Sequence, residues 1–520
     1  MKILFYSVNS LDNIPNLASE LDLMQTHLDA GDEVTVLRCT GQLTYCNVNP
    51  SHWRSKCFLC QQSLSRGLDA LRPGKNNQLP AIVDLSQLLK GSTPDFSLLP
   101  ERFEDLASLM AYQIDDVNLG AATVSSIVSK TKEHKLDTEV YQQEIHNSLK
   151  AAYIVYCAAR EALESIKPDK VYFFNGRLAE TRPFLQVCKQ MNIPSLTIER
   201  AGDFGRYNLF ENTMAIDINY IKAEIQRIWH ASTESEEKKR EVGEAWFHAK
   251  RQGILTGDKY YGQNQMDEML PKGFDTSNRN IAVFTTSEYE FAGISEWQNP
   301  VYHDQNEAIV KIAYSLQESR FSNYQLWIRV HPNLRNRKCT QLDDLREIEA
   351  MRFPNLHIIW PDSPVNSYAF MEKSDVIVTF GSTIGVEATF WNKPSILSGR
   401  SLYEDINCCY RPRSHEELID LLEKDLLVLP QHGALQYGYR MMRNGMPYRY
   451  FKQTGYYEGD FQGETFQRIP KTWLGKACYF WLRKLDKLQN GWKSKKRFAP
   501  KPSIKKTQSF QNDFRGAGCP

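Results

Sequence analysis

Arg329 and His331 stand two apart at the end of an apolar run, LWIRVHPNL, and Gly381-Ser382-Thr383 closes a second, VIVTFGSTIGVE. Residues two apart on a strand project from one face, so a guanidinium and an imidazole would be presented together. Small residues leading directly into a helix let an anion approach unpaired N–H groups, where about half a positive charge resides. The pattern suits a phosphorylated ligand clamped between cations and a helix start. Arg329 offers a planar fork matched to phosphate, and His331 one or two further N–H donors. Glu387, one turn into the helix beyond Gly385, is placed to accept hydrogen bonds from ribose hydroxyls. Thr286, Ser287 and Glu290 follow a third apolar run, NIAVF. Ligands of doubly wound sheets gather outside such carboxyl ends. The plainer alternative is structural: His331 as a satisfied buried histidine, and Glu387 complementing the helix dipole.

Two earlier strand ends carry polar groups. Asn175-Gly176-Arg177 follows VYFF, and Glu199-Arg200 follows SLTI. A reaction that deprotonates an acceptor hydroxyl needs a carboxylate or histidine. Glu199 is the first candidate, with Glu180 and Asp203 behind it and Arg177 alongside; the alternative is a structural ion pair between Arg177 and Glu199. A third constellation is Cys39, Cys46, Cys57 and Cys60, with His52 between them. Four thiolates suit tetrahedral zinc, and Cys57-Phe58-Leu59-Cys60 is a Cys-x-x-Cys half-site, although the first pair is widely spaced. A structural zinc is expected, with His52 able to replace Cys39. A redox Cys-x-x-Cys, which should open a helix, and simple reduced thiols are the alternatives.

The elements that must position these groups are legible as α/β. Strand 2–8, helix 16–32 and strand 33–39 open the chain; a cysteine-bearing loop follows. Helix 139–166, strand 170–177, helix 180–191 and strand 195–200 come next. Residues 217–275 read as a polar helical bridge. A second alternation runs from strand 280 through helix 304–319, strands 325–330 and 356–360, helix 364–373, strand 375–380, helix 384–391 and strand 394–398. Such alternation implies parallel sheets covered by helices. The expected division is an acceptor-side domain 1–220, a bridge 221–276, a nucleotide-sugar-binding domain 277–425, a return segment 426–470, and a basic amphipathic helix and tail 471–520.

Length and composition allow two such domains: 520 residues, 42% hydrophobic and 24% charged. The eleven scattered cysteines are no disulfide framework. No apolar run approaches the roughly 18 residues of a membrane span, and KILFYSV reads as a strand and not a signal peptide, so a cytoplasmic protein is expected. The net charge of +1 conceals an asymmetry: from Lys471 onward stand 13 Lys/Arg against two Asp, leaving −10 on residues 1–470. An acidic body argues against nucleic acid as a partner. Trp473, Leu474, Cys478, Trp481, Leu485 and Leu488 fall at helical spacing among Lys476, Arg483, Lys484 and Lys487. A basic helix of this kind suits the surface of an anionic membrane, the alternative being a helix packed on the body.

Taken together, CTGQLTYCNVNPSHWRSKCFLC, IDDVNLGAATVSSIVSKT, FFNGRLAETRP, IPSLTIERAG, VFTTSEYEF, IRVHPN and TFGSTIGVEATFWNKPSIL, in this order over about residues 39–425, resemble bacterial capsule-polysaccharide-type glycosyltransferases. The resemblance implies the GT-B architecture, two facing Rossmann-like domains. It implies transfer of a sugar from a CMP-, UDP- or GDP-linked donor to a polysaccharide or lipid-linked glycan, without a catalytic metal. The His-Pro and Ser-Thr pairs also resemble those by which some GT-B sialic-acid and Kdo transferases hold a cytidine nucleotide. The location implied is the cytoplasmic face of the membrane. A sugar-nucleotide epimerase or hydrolase, or a non-catalytic export scaffold, are the rival functions.

Overall fold

The computed structural model describes residues 1–8, 10, 16–90, 94–254, 262, 264–454, 458–466 and 472–497, with side chains to 488. Seven strands form the first sheet, in the spatial order Met446–Pro447, Arg206–Glu211, Ser195–Arg200, Lys170–Phe174, Lys2–Ser7, Glu33–Arg38, Ala81–Asp84. The last five of these are mutually parallel, and Arg206–Glu211 runs antiparallel to both of its neighbours. The second sheet has five parallel strands in the order Leu356–Ile359, Tyr324–Arg329, Arg279–Phe284, Val376–Thr379, Ser395–Leu397. In both sheets the chain winds outward one way, then returns and winds the other. That is the Rossmann order, and two such units make the GT-B architecture. Ile281–Phe284 and Val376–Thr379 are buried throughout, the continuous apolar pattern of parallel strands covered on both faces.

One hydrophobic cluster runs from Tyr6 and Phe173 in the first sheet, through Tyr289, to Val283 and Val378 in the second. Polar ties join the same faces. Arg177 Nη1 donates to the Glu290 carbonyl (2.7 Å) and Arg182 Nη1 to that of Gly293 (3.1 Å).

Between the sheets the chain forms helices Ile218–Ala231 and Glu236–Arg251, N-capped by Asp217 and Ser235. Ile225, Trp246 and Phe247 bury an apolar stripe against Val386, Phe390 and Tyr437, so these helices pack on the second sheet's flank. Helix His432–Arg443 lies against them; a Cβ on Gly438 would meet the Gly243 carbonyl at 2.4 Å, so glycine permits the approach. The chain then returns to the first sheet through Met446–Pro447, and Asp22 accepts the N–H groups of Arg449 (2.9 Å) and Tyr450 (2.7 Å). A three-stranded antiparallel sheet, Phe451–Gln453, Gly459–Phe461 and Glu464–Phe466, was not foreseen.

The cysteine-bearing loop is in part helix Arg54–Asp69, which Cys57 and Cys60 help to open. Helix Trp473–Arg497 packs on it. The buried Asp486 carboxylate accepts the N–H groups of Arg54 (3.0 Å) and Ser55 (2.9 Å) and the Ser55 hydroxyl (2.5 Å). These are the donors a helix start leaves unpaired. Trp473, Leu474, Phe480, Trp481 and Leu488 point outward, 57–78% exposed, whereas Leu485 is turned half inward. No helix of the described residues is long and apolar enough to cross a membrane.

Candidate functional site

The second sheet reverses direction between Arg279–Phe284 and Val376–Thr379, and a cavity opens at the carboxyl ends there. Arg329, His331, Ser382, Thr383 and Glu387 line it, as the sequence suggests; Lys250, Thr285 and Tyr368 join them.

Arg329 ends its strand 2% exposed. Its Nη1 donates to the Trp360 carbonyl (2.8 Å) and Nη2 reaches that of Ser363 (3.5 Å), while Nε is buried without a hydrogen-bond partner. No carboxylate among the described residues makes an ion pair with it. Burial and the like charge of Arg335 push its pKa down to about 10. Asp362 offsets this only in part, and a buried guanidinium without a direct ion pair favours an incoming anion.

His331 lies beyond the strand's end. It caps the turn Pro332–Leu334, with Nδ1 accepting the Asn333 N–H (3.1 Å), and its own N–H donates to Thr285 Oγ1 (2.9 Å). Burial, with Arg329 and Lys250 nearby, holds the ring down at about 4. It is therefore neutral near pH 7, with the proton on Nε2.

The helix Ile384–Phe390 starts where the sequence places it, but the N–H groups of Ile384 and Gly385 are already taken by Ser382 Oγ (3.4 Å) and Ser382 O (3.1 Å). The positive charge of the cavity is thus carried by its cationic side chains and not by the helix start. Glu387 is buried, its carboxylate accepting from Tyr368 Oη and from Thr383 Oγ1 (2.8 Å). Each oxygen retains a second lone pair for a ligand hydroxyl.

Two glycines shape this turn. Gly381 adopts φ +140°, and a Cβ there would meet the Arg400 carbonyl at 2.8 Å. A Cβ on Gly385 would lie 2.2 Å from Tyr403 Oη, the hydroxyl that donates to the Ser382 carbonyl (2.6 Å). Gly385→Ala should cost about 1–3 kcal/mol, the usual price of overpacking. Chemical denaturation checks this, and an unchanged midpoint would show that Tyr403 moves aside freely.

The other candidates lie elsewhere. Thr286 faces a larger cavity of about 750 Å³ between the two sheets, its backbone pinned by the Gln305 and Gln341 side chains. Ser287 and Glu290 are tied to Asn333, at 3.5 and 3.1 Å, and do not line the anion cavity. Glu199 lines neither cavity: it accepts from Asn175 Nδ2 (2.6 Å) and the Arg200 N–H (3.0 Å). Arg177 is spent on the Glu290 carbonyl, and burial lowers its pKa; no Arg177–Glu199 ion pair forms. Glu180 is fully buried and accepts the Asn47 N–H (2.8 Å), holding the loop after Arg38. The acids and histidines that do face the larger cavity are His134, Glu288, His303 and Asp304, with Arg182 and Arg400 as its arginines.

Cys39, Cys46, Cys57 and Cys60 line one small cavity with His52. No three of these groups bring ligand atoms mutually within 4.8 Å, whereas sulfurs on a shared zinc sit about 3.8 Å apart. His52 Nε2 is hydrogen-bonded to the Gly41 carbonyl (2.9 Å), and burial pushes the Cys39, Cys46 and Cys57 thiols upward. As they stand, the four sulfurs and His52 do not form an assembled zinc tetrahedron.

No protein-family profile and no curated protein matches the chain. Among solved structures, a KpsC β-Kdo 2,4 transferase of Thermosulfurimonas dismutans is 12% identical, with 52% of this chain and 79% of that one covered at a TM-score of 0.33. A UDP-GlcNAc 2-epimerase of Neisseria meningitidis is 13% identical, with 86% and 96% covered at 0.27. Sucrose-phosphate synthase of Thermosynechococcus elongatus is 8% identical, with 85% and 95% covered at 0.29. The overlap is slight in each case, and the architecture stands on the strand orders described above.

Proposed function

We propose that the chain is a glycosyltransferase of the capsule-polysaccharide type. The phosphate of a nucleotide-sugar donor sits against Arg329 and His331, its ribose at Glu387, and a glycan acceptor enters the cavity between the sheets. The observation that carries this reading is Arg329, a buried guanidinium that makes no ion pair among the described residues, at the carboxyl end where the strand order changes direction. The leaving nucleotide's phosphate would supply the missing charge, and basic side chains preorganised for it need not rearrange as the glycosidic bond breaks. Neutral His331 donates through Nε2 and can become cationic as negative charge builds.

A thermal-shift panel of CMP-, CDP-, UDP- and GDP-linked ligands tests the reading. Stabilisation by one base family is expected; no stabilisation by any of them would sink the nucleotide site and favour a scaffold.

The same reading places the protein at an anionic membrane surface, where lipid-linked glycans are assembled. The outward Trp473, Leu474, Trp481 and Leu488, flanked by Lys476, Arg483, Lys484 and Lys487, support it. Deleting residues 471–520 should abolish co-sedimentation with phosphatidylserine-containing vesicles. Equal binding by the truncated chain would contradict it.

A further inference from the structure

After helix Leu119–Thr131 the segment Glu133-His134-Lys135 crosses from the first unit to the second. Glu133 Oε2 accepts the N–H (2.9 Å) and hydroxyl (2.6 Å) of Thr340, at the start of helix Thr340–Ala350. Lys135 Nζ lies 2.7 Å from Asp304 Oδ2 and 2.9 Å from Asp344 Oδ2. Between these two anchors stands His134. Its side chain is only 8% exposed, and neither ring nitrogen has a hydrogen-bond partner. A buried polar group without a partner costs about 1–3 kcal/mol, so two on one ring call for a ligand. The nearest carboxylate oxygen, Glu288 Oε2, is 3.5 Å from Nε2 and is itself buried and unpartnered.

One ring nitrogen of His134, one oxygen of Asp304 and one of Asp344 lie within 4.8 Å of one another. Ligand atoms about 2.0–2.2 Å from a shared ion are separated by about 3–4.4 Å, so a small side-chain movement closes the set. We propose that His134, Asp304 and Asp344 bind a divalent transition ion, Zn²⁺ or Mn²⁺, that joins the two halves of the molecule. An imidazole beside two carboxylates favours such ions over Mg²⁺ or Ca²⁺, which prefer oxygen alone. Burial, with Lys135 beside it, keeps the ring neutral, the form that ligates.

Lys135 is the competitor for this position, because its ammonium already bridges the two aspartates. Its side chain is 42% exposed, so it can swing into water without stranding a buried charge. His134 has no such escape. Glu288 Oε2 lies 3.5 Å from the ring but outside the three-ligand group, so the set stands on His134, Asp304 and Asp344. None of these groups lines the anion cavity around Arg329, so the ion would not touch the donor phosphate. It would instead fix the first unit's loop to the starts of helices Gln305–Ser315 and Thr340–Ala350, at the edge of the cavity between the sheets.

The test is a Mn²⁺ titration of the full chain, stripped with chelator and followed by electron paramagnetic resonance of the free ion. A single saturable site is expected, with Zn²⁺ displacing Mn²⁺. His134→Ala and Asp344→Asn should each weaken binding by more than about tenfold, the loss typical of even a supporting group. Lys135→Met should tighten it, and Cys57→Ser should leave it unchanged, which separates this site from the thiols. Should His134→Ala fail to fold, Asp344→Asn carries the comparison. Absence of saturable binding, or wild-type affinity in Asp344→Asn, would overturn the proposal.

Discussion

Replacing Arg329 with methionine is expected to weaken binding of the nucleotide by about thirtyfold to several thousandfold, about 2–5 kcal/mol, while leaving the fold intact. The two halves of this expectation have one cause. Arg329 is 2% exposed and holds two backbone carbonyls, and no carboxylate of the described residues pairs with it, Asp362 acting only from a distance and against the larger effects of burial and Arg335. Keeping a guanidinium there opposes folding, and its replacement by an apolar residue of similar volume is commonly neutral or stabilising. The Trp360 carbonyl loses a donor, which offsets part of that gain. An ordinary structural arginine would behave in the opposite way: its loss would lower the melting temperature and leave ligand affinity unchanged. Calorimetric titration with the stabilising nucleotide, beside a melting curve, separates the two.

Glu224→Ala should destabilise the protein by about 3–5 kcal/mol, the typical result of stranding a buried charge. Arg440 and Glu224 are both 5% exposed, and Glu224 Oε2 accepts from Arg440 Nε (3.0 Å), Arg440 Nη2 (2.7 Å) and Asn444 Nδ2 (2.8 Å). The pair locks helix Ile218–Ala231 to helix His432–Arg443 just before the chain returns to the first sheet. Removing the glutamate leaves the arginine buried and unpaired. The double variant Glu224→Met/Arg440→Leu should recover much of the loss, since neither charge then remains. Urea denaturation of both variants is the measurement; a single variant within 1 kcal/mol of wild type would show the pair to be dispensable.

The strands around the anion cavity were legible because parallel strands covered on both faces are written as apolar runs that end abruptly in polar or small residues. Arg329 and Gly381-Ser382-Thr383 are such endings. His331 came to the right place by a different route: Pro332 opens a turn, and the histidine reaches the cavity from that turn and not from the strand. Lys250 and Tyr368 had no local signal, since helix packing brings them in from distant segments. Glu199 stands at a strand end that reads as open in the sequence; in the structure Asn175, at φ +59°, turns back and donates to its carboxylate. Helix Arg54–Asp69 was missed because its buried face uses Ser55, Ser63 and Gly67 beside Leu59, Leu64 and Leu68, a weak apolar stripe. His134 was invisible for the reason that makes it informative: its partners lie 170 and 210 residues further along the chain.

The most direct test of the donor site is a crystal structure with the nucleotide that stabilises the protein. The phosphate should lie within about 3 Å of Arg329 Nε, the buried donor without a hydrogen-bond partner among the described residues, and should contact His331. A nucleotide bound elsewhere, or one whose phosphate leaves Arg329 Nε unpartnered, would contradict the account.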